Sequence, residues 1–380
     1  MKSKIAVRCA TSVWVLLLTM AIGSTSAQAK PAPQKCTNCS VMHALVEAAK
    51  SPILKNARTK PISLALISKK PNDAPDFDYR QRIHEAQALL AVGHKDGPLT
   101  VLRMDEMGKN DQGFAVTWPS DNFINTHFRV IKPDGYIVFA QRRPVHAKVG
   151  YQEAVYSAYT PELDTKTMRD AGMNYLRFLQ RQAYDRIKTN DVRSRVAPGA
   201  TVAQEIPEGM VLRLMITEHI DPLHMKYVGM EQCIHEVLFT LAANEGRAYA
   251  YAKSSAGALG LSQFMESTYA VVLQNYPAAH LEPDFAMGMV NLNNAVMASV
   301  LLLDLELTAV PKTYLKQFMG SSQQFAAFLA AGYNRNPVHV LQTYYRTHSF
   351  TGGHAPLENK MYVRIQNWIG TFLKKEYGLA

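Results

Sequence analysis

The spacing of apolar residues changes once along this chain, near Asp164, and that change constrains the fold more than any other feature. From there Met168, Tyr175, Leu176, Leu179, Ala183 and Ile187 line one face of a long amphipathic helix. Pro198-Gly199 marks a break. Helical patterns follow over 207–220, 227–243, 263–275, 285–307, 321–331, 338–347 and 357–375. Pro207 suits a first helical turn, where its missing N–H has no partner to lose. Before Asp164 the runs are strand-like: 62–67, 99–104, 114–118, 136–141 and 154–160, interrupted by one predicted helix over 79–92. Pro133-Asp134-Gly135 is a turn signal ahead of the fourth run. These patterns predict an α+β protein, with a small mixed region at 58–200 preceding a mainly helical domain at 201–380.

The chain's 380 residues, 47% of them apolar, suffice for two domains. A formal charge of +10 suits a protein working beside an anionic polymer or membrane face. No Arg/Lys run interleaved with aromatics appears, which argues against nucleic acid as a partner. Lys2, Lys4 and Arg8 precede an apolar stretch, Val13–Gly23, and Ala27-Gln28-Ala29 follows as a cleavage pattern. Residues 1–29 thus read as an export signal, too short to span a membrane, and place the mature chain in the periplasm or another extracytoplasmic space. Residues 30–57 read as a tether. Cys36 and Cys39 lack the strand–helix frame of a redox motif or the further ligands of a zinc site, so a structural disulfide is expected, with Cys233 as a buried thiol.

One stretch carries chemistry. Glu245 follows the apolar run 237–243, where a helix leaves the core, and precedes Gly257-Ala258-Leu259-Gly260, which has almost no side-chain bulk. A carboxyl half out of water is held protonated to higher pH, as a general acid requires. The small residues allow a backbone or ligand to approach closely.

In order, Glu245, Ala252, Ser254, Gly257, Ala258, Gly260, Leu261, Gln263 and Met265 resemble the motif of the soluble-type lytic transglycosylases, relatives of goose-type lysozyme. Asn294 with Leu301-Leu302, the block Ala330–Asn334 and the block Glu358–Val363 resemble three further blocks of that family, in the same order. The likeness covers about a third of the chain. It implies a lysozyme-like helical domain that cleaves the MurNAc–GlcNAc β-1,4 bond of peptidoglycan strands, leaving a 1,6-anhydro sugar, with no metal and no organic cofactor. One carboxyl serves as acid and then as base, and the substrate's N-acetyl group stabilises the intermediate. Carried over residue by residue, the likeness makes Glu245 the catalytic acid/base, with Gln263, Met265, Tyr333, Asn334, Glu358 and Tyr362 lining the groove. Tyr362 is expected to set its hydroxyl beside Glu245.

The departures are Gly246 for Ser, Ala248 for an aromatic, Ala250 for Pro, Ser262 for Met and Arg335-Asn336 for Ala-Gly. They bear on substrate fit and rate, and leave as alternatives a wall-binding or assembly protein without turnover, or a hydrolytic muramidase. No family is recognisable in 58–200, which is a candidate surface for an envelope-complex partner. The segment from Glu218 to His224 mixes imidazoles and carboxylates, but Pro222 breaks the spacing of a zinc helix, so it reads as a helix end with a cap.

Overall fold

A computed structural model describes residues 89–95, 98–104, 109–110, 112–118, 125–147, 150–353 and 355–379. The expected export signal, tether, Cys36, Cys39 and the 62–67 run lie outside the described residues. Among those described, no helix is long and apolar enough to cross a membrane.

The architecture is mixed α+β and mostly helical. Six strands come first: β1 (Leu89–Gly93), β2 (Thr100–Arg103), β3 (Ala115–Thr117), β4 (Arg129–Lys132), β5 (Ile137–Ala147) and β6 (Gly150–Tyr156). One antiparallel sheet has the order β2-β1-β5-β6, and β3 pairs with β4. All five residues of β1 are buried. Leu89 and Ala91 join Phe139, Leu163 and Met168 on one face, while Leu90 and Val92 join Leu102, Val130 and Val138 on the other. This corrects the helix expected over 79–92 in its last four residues. A strand covered on both faces is a continuous apolar run, which periodicity alone cannot tell from a buried helix. Strand β4 was not expected, because only Val130 of its four residues is buried.

Twelve α-helices follow among the described residues. The first, α1 (Lys166–Thr189), carries the apolar face read from sequence, and the Thr165 hydroxyl caps it by accepting from the Met168 N–H at 3.2 Å. Next come α2 (Val202–Glu205), α3 (Glu208–Thr217), α4 (Pro222–Val228), α5 (Met230–Ala243) and α6 (Glu266–Asn275). The rest are α7 (Phe285–Val290), α8 (Leu292–Leu307), α9 (Lys312–Met319), α10 (Ser322–Asn334), α11 (Pro337–Thr347) and α12 (Leu357–Tyr377). The single helix expected over 285–307 breaks at Asn291, whose side chain caps α8. The one expected over 227–243 breaks at Gly229, where φ is +85°.

Helix α8 is apolar nearly all round and buried at most positions, and it forms the axis of the helical core. Around it pack Leu176 and Leu179 of α1, Leu214 of α3 and Phe328 of α10, and Leu238 of α5 joins the same core against α1. The helical core thus begins with α1 and not at residue 201, because the α1 face needs the helices after Pro198-Gly199 to cover it. Helices α1 and α5 cross so closely that a Cβ on Gly172 would lie 1.8 Å from the Leu238 carbonyl oxygen. Buried Asp304 of α8 fixes the loop after α1, accepting from Ser194 Oγ at 2.6 Å, the Arg195 N–H at 2.8 Å and Tyr276 Oη at 2.7 Å. Three charge-assisted bonds offset the cost of burying that side chain.

Candidate active site

Helix α3 is an apolar helix that ends at Thr217, and Glu218 is its C-terminal cap residue. Glu218 is half-buried, and Tyr362 Oη of α12 donates a short hydrogen bond to its Oε1. Burial raises the carboxyl pKa to about 7, and the Tyr362 hydrogen bond opposes part of that rise. Burial also pushes the Tyr362 phenol well up, reinforced by the charge of Glu218, so Tyr362 stays a donor at neutral pH.

The next residue, His219, ties this acid to the glycine-containing stretch. Its Nε2 lies 2.9 Å from the Leu261 carbonyl oxygen, and its ring stacks on Tyr249 with centroids 3.6 Å apart. Burial lowers its pKa to about 4, with the Leu261 bond pulling the other way. The imidazole is therefore neutral at pH 7, with its proton on Nε2 facing Leu261.

The stretch 253–264 forms a tight ribbon and not a helix start. Isolated bridges join Lys253 to Leu259 and Leu259 to Phe264. Gly260 has φ of +76°, and a Cβ there would meet the Met289 carbonyl oxygen at 2.7 Å, so the absent side chain serves a close backbone approach. Tyr333, near the end of α10, donates from Oη to the Ser262 carbonyl oxygen at 2.7 Å and lies 3.4 Å from Ser299 Oγ. Burial raises its pKa well above the usual phenol value, and the Glu218 charge adds to the rise. Beneath it lies Glu306, buried, whose carboxyl is held protonated far above the usual range. Its Oε2 would sit 2.5 Å from a Cβ on Gly332.

Glu218, Tyr362, Tyr333 and the ribbon are thus brought together. Gln263 lies on the ribbon with φ of +47° and donates to the Gly260 carbonyl oxygen at 2.8 Å. Met265 is exposed at the start of α6. Asn334 is exposed as the last residue of α10, and Glu358 is exposed in the first turn of α12, one turn before Tyr362.

Glu245 lies elsewhere. It follows α5 on a turn whose position is set by Asn244, whose side chain accepts the Ser157 N–H and donates to the Ser157 carbonyl oxygen, both at 2.8 Å. The Gly246 N–H donates to Tyr175 Oη of α1 at 2.6 Å, and the charge of Glu245 contributes to pushing that phenol up to about 12, after burial. The expectation that Tyr362 sets its hydroxyl beside Glu245 is corrected: that hydroxyl bonds Glu218. The reason lies in the path of the chain. Helices α4 and α5 stand between Glu218 and the ribbon, so an acid placed at a short spacing before Gly257 falls on Glu245.

Glu218 also ends an apolar helix and so carries the same sequence signal as Glu245, within a segment that mixes imidazoles and carboxylates as a metal site would. In the structure those groups go separate ways. Asp221 caps α4, accepting the Leu223 N–H at 2.7 Å, and His224 pairs with Glu236 of α5 at 2.9 Å.

Comparisons of this chain with protein-family models, curated proteins and solved structures find no match.

Proposed function

We propose that this protein is a peptidoglycan lytic transglycosylase of lysozyme-like fold, with Glu218 and not Glu245 as its acid/base. The observation that carries this reading is the Glu218 carboxyl. It is half-buried at a helix end, titrates near pH 7, and has one oxygen held by Tyr362. At neutral pH about half the molecules hold the proton, so the group can both give and take one.

Tyr362 occupies Oε1, so Oε2 faces the reaction. In the forward step Glu218 Oε2–H protonates the leaving glycosidic oxygen as the C1–O bond breaks. Positive charge at C1 is taken up by the substrate's own N-acetyl oxygen. The carboxylate left behind keeps the Tyr362 hydrogen bond, which favours its charged form. It then removes the proton of the muramic acid 6-hydroxyl, whose oxygen closes on C1. The acid is restored, and the product is the 1,6-anhydro sugar. Tyr333, held by the Ser262 carbonyl, and Gln263 on the ribbon supply a flat face and an amide for the sugars. Without residues 1–29, which hold Lys2, Lys4 and Arg8 and no acids, the chain keeps a net charge of +7, which suits an anionic wall polymer.

The test is digestion of purified sacculi by wild-type protein, Glu218→Gln and Glu245→Gln, with the fragments weighed. Glu218→Gln is expected to cut release at least 1000-fold, of the order that loss of an essential acid/base brings. Glu245→Gln is expected to stay within a few-fold of wild type, and products are expected lighter by one water than hydrolytic ones. Full activity of Glu218→Gln overturns the assignment.

A further inference from the structure

On α12, Lys360, Arg364, Asn367, Trp368 and Thr371 recur at steps of three and four, so they share one face. With buried Val363, and Thr351 from the loop before the helix, they line an open depression of about 520 Å³. Tyr362 lies two residues from both Lys360 and Arg364, about 200° round the helix, and so projects from the opposite side. The cavity is separated from Glu218 by the thickness of α12, about 10 Å.

Its chemistry is one-sided. No lining residue is acidic, and neither Lys360 nor Arg364 has a carboxylate partner among the described residues. The Lys360 Nζ donates to the Gly353 carbonyl oxygen at 3.3 Å, which leaves donors to spare and fixes its head beside the cavity mouth. Trp368 keeps 42% of its surface in water, a large apolar face with nothing seated on it. Lys374 continues the same face towards the C-terminal end of the helix. Beneath its edge, half-buried Arg213 of α3 packs against Gly370 and adds a further positive charge without a carboxylate partner among the described residues.

We propose that this cavity is a second binding site, for a peptide with a free carboxylate. Arg364 and Lys360 take the carboxylate, since a guanidinium matches its two oxygens and an ammonium adds charge. Asn367, Thr351 and Thr371 meet backbone amides, and the Trp368 face covers an apolar part of the chain. A bare inorganic anion leaves the indole and the amide unused. The site stands independently of the catalytic reading.

The test uses the full chain and the tripeptide Ala-Leu-Ala, whose C-terminus is its one carboxylate, followed calorimetrically and by indole fluorescence at low salt. Saturable binding is expected, weakened about tenfold or more by Lys360→Ala with Arg364→Ala, the range expected for lost charge-assisted bonds. Trp368→Phe is expected to abolish the fluorescence change. Glu218→Gln is expected to bind as wild type does, which separates this site from the cleft. Arg364 is exposed and Lys360 half-buried, and an unchanged thermal midpoint confirms that the double variant folds. Equal binding of the amidated tripeptide, equal competition by inorganic phosphate, or unaltered binding to the double variant overturns the proposal. Binding to anionic phosphatidylglycerol vesicles without binding to the tripeptide overturns it as well.

Discussion

Replacing Glu218 by Gln should stabilise the protein in a pH-dependent way. The carboxyl pKa rises from 4.5 to about 7 on folding. Below pH 4.5 both folded and unfolded states hold the proton, and burial costs nothing in ionisation. As pH rises through this window the unfolded chain releases the proton while the folded one keeps it, and folding loses stability. Above pH 7 the loss is complete. At 1.36 kcal/mol per unit it amounts to about 3 kcal/mol. Glutamine is nearly isosteric, cannot ionise, and offers its Oε1 to the Tyr362 hydroxyl, so it removes the penalty and keeps the bond. Urea denaturation of both proteins at pH 4, 6 and 8 should give matching stabilities at pH 4 and a gap of about 3 kcal/mol favouring the variant at pH 8. A gap that is constant with pH, or that favours the wild type at pH 8, refutes the placement of this carboxyl in a desolvated site. Sacculus digestion by the same variant should fail at every pH, so stability and activity move in opposite directions.

Tyr362→Phe removes the donor that opposes the rise in the Glu218 pKa, so the alkaline limb of the pH–activity profile should move to higher pH. Loss of one charge-assisted bond should lower turnover about tenfold. His219→Ala removes the bond to Leu261 and the stack on Tyr249 and should cost about 2 kcal/mol at pH 7. Because the folded His219 pKa is near 4 and the unfolded one near 6.5, the wild type loses stability as pH falls between them, and the difference between the two proteins should close on acidification. Gly172→Ala drives a methyl group into the Leu238 carbonyl and should lower stability by about 3 kcal/mol in thermal melts, since two helix backbones must part.

Much of the helical architecture was legible because an apolar stripe at helical spacing reports a surface to be covered. Helix α1 was read from six residues, and all six are buried or half-buried. Boundaries failed where a local device overrode the pattern: Asn291 capping α8, the φ of Gly229 between α4 and α5, and the ribbon that displaces the start of α6. Strand β1 was misread because its two buried faces erase the alternation that marks a strand. The candidate site was legible in its parts. Tyr333, Gln263 and Tyr362 were found from their blocks, and the structure gathers Tyr333, Tyr362 and the ribbon around an acid. Which acid was not legible, because spacing along the chain does not show that α4 and α5 separate Glu218 from the ribbon. Glu218 and Glu245 each end an apolar helix, and only the partners across space, Tyr362 for one and Tyr175 nearby for the other, tell them apart.

The two helices between Glu218 and the ribbon also change what keeps these groups in place. Where an acid and its neighbouring loop are joined by a few residues, chain length fixes their separation. Here the two are remote in sequence, and the imidazole of His219 and the phenols of Tyr333 and Tyr362 act as cross-braces from three directions. Within the segment between them, α5 is fixed in the core against α1, whereas α4 lies outside it. A change in the length or surface of α4, which buries none of its residues, would leave those braces in place.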